Sequence, residues 1–385
     1  MHDKTIKVVH ILEGFLGGMS TYVCTVLPQL AQKGFDVTLI CSLNRSWPDG
    51  DTRISELRER GVKVHIIPMY REISPLKDIH SFSIILRLLS KNKFDIVHTH
   101  CSKAGVLGRI AAILIGKNVI LHSPHCFAFM RCNSRFKKLL YLVLEELLGR
   151  LTAKLVAVSR SEAAVAVRSR IVPTHKCAIV RNGLSDGQFF PSTALSTKDL
   201  TGKASLGLDK DTRVVATACR LVEYKGIFRF LRATKLSRAR NAMFLIAGDG
   251  KLKASAERFV SENNLSNKVK LLGHVSNMEQ IYAISDVIAL CSDAEAQPYL
   301  LLEAMRAKCP IVATSVIGNK ELISHNGTGL LVEPTPASIA IAIDELLANK
   351  DRRKEYAENA YAYLCKYHTL EKQISELTEL YKSLM

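Results

Sequence analysis

Tryptophan occurs once in the 385 residues, and all aromatic residues together make up 6% of them. A chain so poor in flat side chains has little on which unpaired bases can stack. No RNP motif, zinc-finger spacing or helix-turn-helix pattern compensates, so nucleic acid is not an expected partner. No apolar run approaches the about 18 residues that cross a bilayer. The opening MHDKTIK is polar and lacks the apolar core of a secretion signal, which sets the expectation of a cytoplasmic protein. The ten cysteines form no CxxC pair and no framework spacing, and they fit reduced thiols in a reducing compartment better than disulfides. Acids are scarce in the first half: up to residue 190 there are 14 Asp and Glu against 27 Lys and Arg, whereas beyond it there are 22 against 26. Most of the net charge of +17 therefore sits N-terminally, where it can attract an anionic membrane face or a phosphorylated substrate.

The chain exceeds one ordinary domain, and its 48% hydrophobic content supports two full cores. Short β-rich runs alternate with helical stretches. IKVVHIL, DVTLICS, VKVHIIP, FDIVHTH, NVILHS and AKLVAVS form a first set, and RVVATAC, AMFLIAG, KVKLLG, DVIALCS and PIVAT a second. These runs are continuously apolar, as parallel strands covered on both faces require, so each set predicts a doubly wound α/β sheet. The polar, proline-marked residues 185–211 separate the sets. Expected domains are residues 1–187 and 188–365, with the amphipathic helix of residues 366–385 packing back on the first.

Two carboxylates stand eight positions apart in EAQPYLLLEAM. Pro298 suits a first helical turn, so Glu295 falls in the entering loop, Glu303 inside the helix, and the open amides of Tyr299, Leu300 and Leu301 between them. Acid, anion site and acid match the sugar, diphosphate and ribose of a nucleotide sugar. Arg220 and Lys225 in RLVEYKG follow a strand of the same sheet and suit a diphosphate, although solvated surface charge is their common fate. In GFLGGMST, Gly17 and Gly18 allow a close backbone approach to phosphate, or simply a tight turn. The pattern is not GxGxxG, and no acid closes the second strand, which argues against NAD. His98 and His100 share a strand face, and His122, His125 and Cys126 follow nearby, but no carboxylate accompanies them and satisfied structural histidines are commoner than metal ligands. DGD at residues 49–51 is read as a surface turn.

Together these stretches are similar to the retaining glycosyltransferases of family 4, with the GT-B architecture of two facing Rossmann-like doubly wound parallel-sheet domains. The carrying residues are GGMS, VHTHCSKAG, SPHCF, VAVSRSE, VRNGLSDGQF, RLVEYKG, LIAGDG, LLGHV, EAQPYLLLEAM, PIVAT and GTGLLVEP, spread over residues 6–345. Within the family the resemblance is greatest to members that build bacterial surface polysaccharides and glycolipids. It implies that Arg220 and Lys225 hold the donor diphosphate, that Glu303 bonds the ribose, that Glu295 faces the transferred sugar, and that the Leu300 and Leu301 amides meet the phosphates. His125 aligns with the active-site histidine ahead of His122, and Val275 lies by the base. The usual Glu-Gly beginning is here Glu295-Ala296-Gln297-Pro298, which leaves sugar identity open.

The implied reaction moves a sugar from a nucleoside diphosphate, taken as UDP, to a glycan or lipid-linked acceptor with retention and without a metal or other cofactor. Preorganised cations and amides would carry the leaving-group charge, and the departing phosphate would help deprotonate the acceptor on the front face. The second domain is expected to bind nucleotide and the cationic first domain the acceptor. MRCNSRFKKLLY (130–141) and SFSIILRLLSKNKF (81–94) resemble amphipathic surface elements for an anionic membrane on the inner face. Two other readings remain open, a nucleotide-sugar 2-epimerase of the same fold and a non-catalytic sugar or lipid binder.

Overall fold

The computed structural model describes residues 5–132, 134–185 and 202–385. The Asp186–Phe189 end of VRNGLSDGQF and most of the expected linker lie outside the described residues. The chain divides into two units, Met1–Asn182 with Leu370–Met385, and Gly183–Thr369, a few residues from the expected 187/188 and 365/366.

Among the described residues the first unit is built on seven parallel strands: β1 Lys7–Leu12, β2 Asp36–Cys41, β3 Lys63–Ile66, β4 Ile96–His100, β5 Ile120–Ser123, β6 Lys154–Ala157 and β7 Cys177–Ile179, in the order β3-β2-β1-β4-β5-β6-β7. The second has six: β8 Arg213–Ala218, β9 Ala242–Ala247, β10 Val269–Gly273, β11 Val287–Leu290, β12 Ile311–Thr314 and β13 Leu330–Val332, ordered β10-β9-β8-β11-β12-β13. Every central strand is buried along nearly its whole length, because helices cover both faces; this is why the runs read as unbroken apolar stretches. Each unit is thus a Rossmann-like α/β fold. The sequence does not announce β7 and β13, which are three residues long and lie at sheet edges, where little burial is demanded of them.

The helix Pro75–Lys91 corrects one expectation. Ser81, Ile85 and Leu89 are buried at helical spacing, and Phe82, Ile84, Leu86 and Leu88 pack against the core, so the apolar part of SFSIILRLLSKNKF faces the protein and offers no docking face. A run apolar on most sides has no other place in a doubly wound unit. The Leu370–Lys382 helix buries Leu370, Gln373, Ile374, Leu377 and Tyr381, and belongs to the first unit.

Candidate active site

In the second unit the winding reverses between the neighbours β8 and β11, the kind of point beyond whose strand ends open parallel sheets bind ligands. The turns leaving these two strands are fastened together. Lys225 Nζ meets Glu295 Oε1 at 2.5 Å, Arg229 donates to the Cys291 carbonyl and to Asp293 at 2.5 Å each, and the Asp293 amide donates to the Tyr224 carbonyl at 2.7 Å. Gly226 has φ of 70°, and a Cβ on it would stand 1.9 Å from the Cys291 carbonyl oxygen, so this approach requires glycine. Burial alone would pull the Lys225 ammonium down, but the carboxylate of Glu295, with Tyr224 behind it, outweighs burial and raises its pKa above the usual lysine value. Lys225 is a fixed positive charge. Arg220 donates to the Tyr224 hydroxyl from the same turn. The glycines of LIAGDG have their own reason: a Cβ on Gly248 would meet the Cys219 carbonyl oxygen at 1.9 Å and one on Gly250 the Leu221 carbonyl oxygen at 2.6 Å, so they let this loop close on the residues flanking Arg220.

The helix Tyr299–Arg306 is capped by Pro298. The Leu301 amide donates to the Pro298 carbonyl at 3.2 Å, whereas the Leu300 amide has no partner among the described residues and stays open to an anion. Glu303 accepts a 2.5 Å hydrogen bond from the Tyr282 hydroxyl, whose pKa burial and the Glu303 charge push well above the usual phenol range, so Tyr282 remains a donor. On the opposite side of the loop, a Cβ on Gly318 would come within 2.5 Å of the Glu295 carbonyl oxygen. Val275 is half-buried just past the edge strand β10. Arg220, Lys225 and Glu295 therefore form one constellation, with Glu303 and Leu300 carried on the helix that follows.

In the first unit, Gly17 caps the helix Gly18–Gln32 with φ 59° and ψ −148°, a backbone region that only glycine enters freely. His125 and Cys126 both have positive φ, 48° and 74°. Glu162 holds that turn: its carboxylate accepts from the Cys126 amide at 2.6 Å and the Val158 amide at 2.9 Å, while its own amide donates to Ser159 Oγ at 3.0 Å. VAVSRSE thus carries the Ser-x-x-Glu spacing of a capping box, but its acid reaches past the capping Ser159 to the Val158 amide and fixes the histidine turn. The His125 ring is half-buried and pairs through Nε2 with His100 Nδ1 at 3.0 Å. His122 lies elsewhere, fully buried, with Nδ1 3.0 Å from Thr99 Oγ1 and Nε2 3.7 Å from the Arg109–Glu145 ion pair. DGD is a helix start and not a surface turn, with Asp49 paired to Arg53 at 2.8 Å. His10, His98 and His100 bring ligand nitrogens within 4.8 Å of one another, but all six of their ring nitrogens already hydrogen-bond to one another, His125, Tyr381 or Ser123.

Residues 200–363 match the family described as glycosyl transferases group 1, and residues 17–183 match the glycosyl transferase 4-like domain. Over 339 residues, 86% of this chain and 85% of the relative, the sequence is 32% identical to the UDP-Gal:alpha-D-GlcNAc-diphosphoundecaprenol alpha-1,3-galactosyltransferase of Escherichia coli. The chain belongs to the group 1 glycosyltransferases. It is also 24% identical to the capsular polysaccharide biosynthesis glycosyltransferase CapM of Staphylococcus aureus, covering 86% of this chain and 85% of that one. Among solved structures, HepE of Anabaena, crystallised with UDP and glucose, shares the GT-B fold with a TM-score of 0.80 at 17% identity, over 98% of this chain and 100% of that one.

Sequence reasoning passes over several residues that shape this glycosyltransferase's candidate site. Glu162 carries a legible signal, the Ser-x-x-Glu spacing of a capping box. Tyr282 and Tyr381 carry none, because the contacts that engage them join residues 21 and 283 positions apart.

Proposed function

We propose that this glycosyltransferase moves a hexosyl or N-acetylhexosaminyl group from a UDP-sugar to a lipid-linked glycan acceptor, with retention and without a divalent metal, in the synthesis of a surface polysaccharide or glycolipid. The bond from the anomeric carbon to the diphosphate oxygen breaks, the acceptor oxygen bonds to that carbon, and the acceptor proton passes to the departing phosphate. The observation that carries the reading is the Lys225–Glu295 pair at the β8/β11 reversal: a permanently charged ammonium beside a carboxylate, with Arg220 in the same turn and an open helix amide in the next element. The cations and the amide suit the growing negative charge of the leaving group, and they do so without proton transfer to it. Glu295 suits the sugar hydroxyls and Glu303 the ribose, with the Leu301 amide free to leave its 3.2 Å bond for phosphate, Val275 by the base, Gly17 and Gly18 at the phosphates and His125 at the sugar. The E. coli relative's name supports a UDP-sugar donor and a polyprenol diphosphate acceptor.

The test is transfer from a panel of UDP- and GDP-sugars, UDP-galactose first, to a synthetic polyprenyl-diphosphate N-acetylglucosamine. The expected product is the α-glycoside by NMR, formed equally with EDTA present. A β-linked product sinks retention, and loss of activity in EDTA sinks metal independence. Change of the nucleotide sugar in the absence of acceptor would instead favour the epimerase. In thermal melts the cognate donor is expected to raise the midpoint by a few degrees, because it binds only the folded protein; a flat panel would favour a protein that does not use nucleotide sugars.

Among the described residues no helix is long and apolar enough to cross a membrane. A lipid-linked acceptor must then be met at the surface. On the helix Arg135–Arg150, Phe136, Leu139, Val143 and Leu147 are exposed at successive helical turns, with Phe136 75% accessible, and Arg135, Lys137 and Lys138 flank them. An apolar stripe edged by cations suits an anionic bilayer, so we assign peripheral docking to this face. Wild-type protein is expected to co-sediment with vesicles containing phosphatidylglycerol and not with neutral ones, and Phe136→Asp with Leu139→Asp should reduce the bound fraction about tenfold or more. Equal sedimentation with both vesicle types, or an unaffected double variant, removes the assignment.

A further inference from the structure

His125 is the mouth of an unbroken line of hydrogen bonds through the core of the first unit. His100 Nε2 meets His10 Nδ1 at 2.9 Å, His10 Nε2 meets the Tyr381 hydroxyl at 3.3 Å, that hydroxyl meets His98 Nδ1 at 2.6 Å, and His98 Nε2 meets Ser123 Oγ at 2.9 Å. The line crosses the β1/β4 boundary, where the winding of the first sheet reverses, and its middle link comes from the C-terminal helix. His10, His98, His100 and Tyr381 are fully buried, and burial holds the histidine rings uncharged. A neutral imidazole has one N–H and one lone pair. At every link Nε2 points down the line and Nδ1 points up it, so a ring that donates downward must accept from above. The constraint passes from ring to ring: His125, His100 and His10 are all Nε2–H or all Nδ1–H, because any mixture sets two protons or two lone pairs against each other. His98 is joined to them through the Tyr381 hydroxyl, which can accept from both sides, so its tautomer follows theirs only if that hydroxyl donates along the line.

We propose that this line fixes the tautomer of His125, holding it as Nε2–H so that Nδ1 is presented as a lone-pair acceptor to a hydroxyl of the donor sugar; the proposal rests on reading His125 as the residue that meets that sugar. The distances around Tyr381 decide the direction. The 2.6 Å contact with His98 Nδ1 is the length of a hydroxyl donating, and the 3.3 Å contact with His10 Nε2 is a long N–H bond received. Tyr381 therefore donates to His98, every ring donates through Nε2, and the Ser123 hydroxyl receives the last bond. His125 Nδ1 has no partner among the described residues, as an acceptor kept for a ligand requires. Tyr381, His10, His98 and His100 are positioning residues that act through His125, and the first strand, the fourth strand and the chain's last helix are thereby joined to the sugar's recognition.

The tautomers can be read directly. Long-range proton–nitrogen NMR on the full chain with 15N-labelled histidine, assigned through single substitutions, should show all four rings as Nε2–H without any substrate. Tyr381→Phe keeps the ring and removes the hydroxyl, so His10 loses its acceptor and His98 its donor. The expected result is a mixed tautomer at His125 and about a five- to tenfold lower rate of sugar transfer, the loss of one well-placed hydrogen bond. Ser123→Ala at the far end disturbs packing less and should shift the same signals in the same sense, which keeps the test open if Tyr381→Phe folds poorly. One Nδ1–H ring among the four in the wild type overturns the proposal, as does a His125 signal unmoved in both variants. Stoichiometric zinc retained by the inner rings overturns it too. If the uniform pattern holds but His125→Ala transfers sugar at the full rate, the reading of His125 as a sugar contact is what has failed, and the proposal falls with it while the coupling of the rings stands.

Discussion

Lys225→Ala is expected to lower sugar-transfer turnover by about 10²- to 10³-fold, the usual cost of removing one preorganised group from a developing anion. The wild-type ammonium is held charged by Glu295 against its own burial, so it needs no proton uptake when the diphosphate departs. The same substitution leaves the Glu295 carboxylate, 7% exposed, without its partner, and an unpaired buried charge costs stability by up to about 3 kcal/mol. The two effects are separable. Lys225→Met with Glu295→Gln removes both charges and should recover most of the melting temperature without recovering turnover. If the double variant regains both, the loss in Lys225→Ala came from the fold; if Lys225→Ala itself turns over normally, the diphosphate is held elsewhere. Donor affinity by calorimetry completes the assignment, since a group that acts on the leaving charge should reduce kcat more than binding.

Much of this site is legible because it depends on neighbours in the chain. Pro298 at a helix start, the glycines of RLVEYKG and LIAGDG, and the acid eight positions before Glu303 are local patterns, each with one physical reason. Eleven of the thirteen strands among the described residues announce themselves through continuous apolar runs, and the two silent ones are the short edges Cys177–Ile179 and Leu330–Val332. What stays hidden is of another kind. His10 and Tyr381 stand 371 positions apart and touch only because the last helix returns to the first unit. HTH in β4 resembles a metal pair because residues two apart share a strand face; the register that sets His10 beside His98 is what turns that face into a hydrogen-bonded line. Likewise, SFSIILRLLSKNKF and RFKKLLY both read as apolar helices with cations, and only the sheet beneath them determines that the first is covered while the second keeps Phe136 and Leu139 outside.

Acid should unfold the first unit well before ordinary carboxylate titration would. His10, His98, His100 and His122 are fully buried and His125 half-buried, and burial, the largest cause in each case, lowers their pKa values, those of His10 and His125 to about 3. In the unfolded chain such rings take up protons near pH 6.5, so below that pH the unfolded state binds protons that the folded state refuses. The folded state is therefore fully favoured above pH 6.5 and loses ground as pH falls, by about 1.4 kcal/mol per pH unit for each ring. Glu162 works the other way: burial raises its pKa to about 7 against the hydrogen bonds from Val158 and Cys126, so its contribution grows as pH falls from 7 and offsets about one ring. The net slope is about 5–6 kcal/mol per pH unit between pH 6 and 4.5, enough to exhaust a typical stability of about 5–15 kcal/mol within a few units. All of these rings lie in the first unit, so calorimetry at pH 5 should separate two transitions, the lower one carrying the Tyr22 and Tyr381 signals. His122→Gln, outside the line to His125, should reduce the slope by about a fifth to a quarter, since it removes one of the five rings. Urea midpoints that stay level from pH 7 to pH 5 would mean that these rings are hydrated or charged in the folded protein, and the neutral line beneath His125 could then not exist.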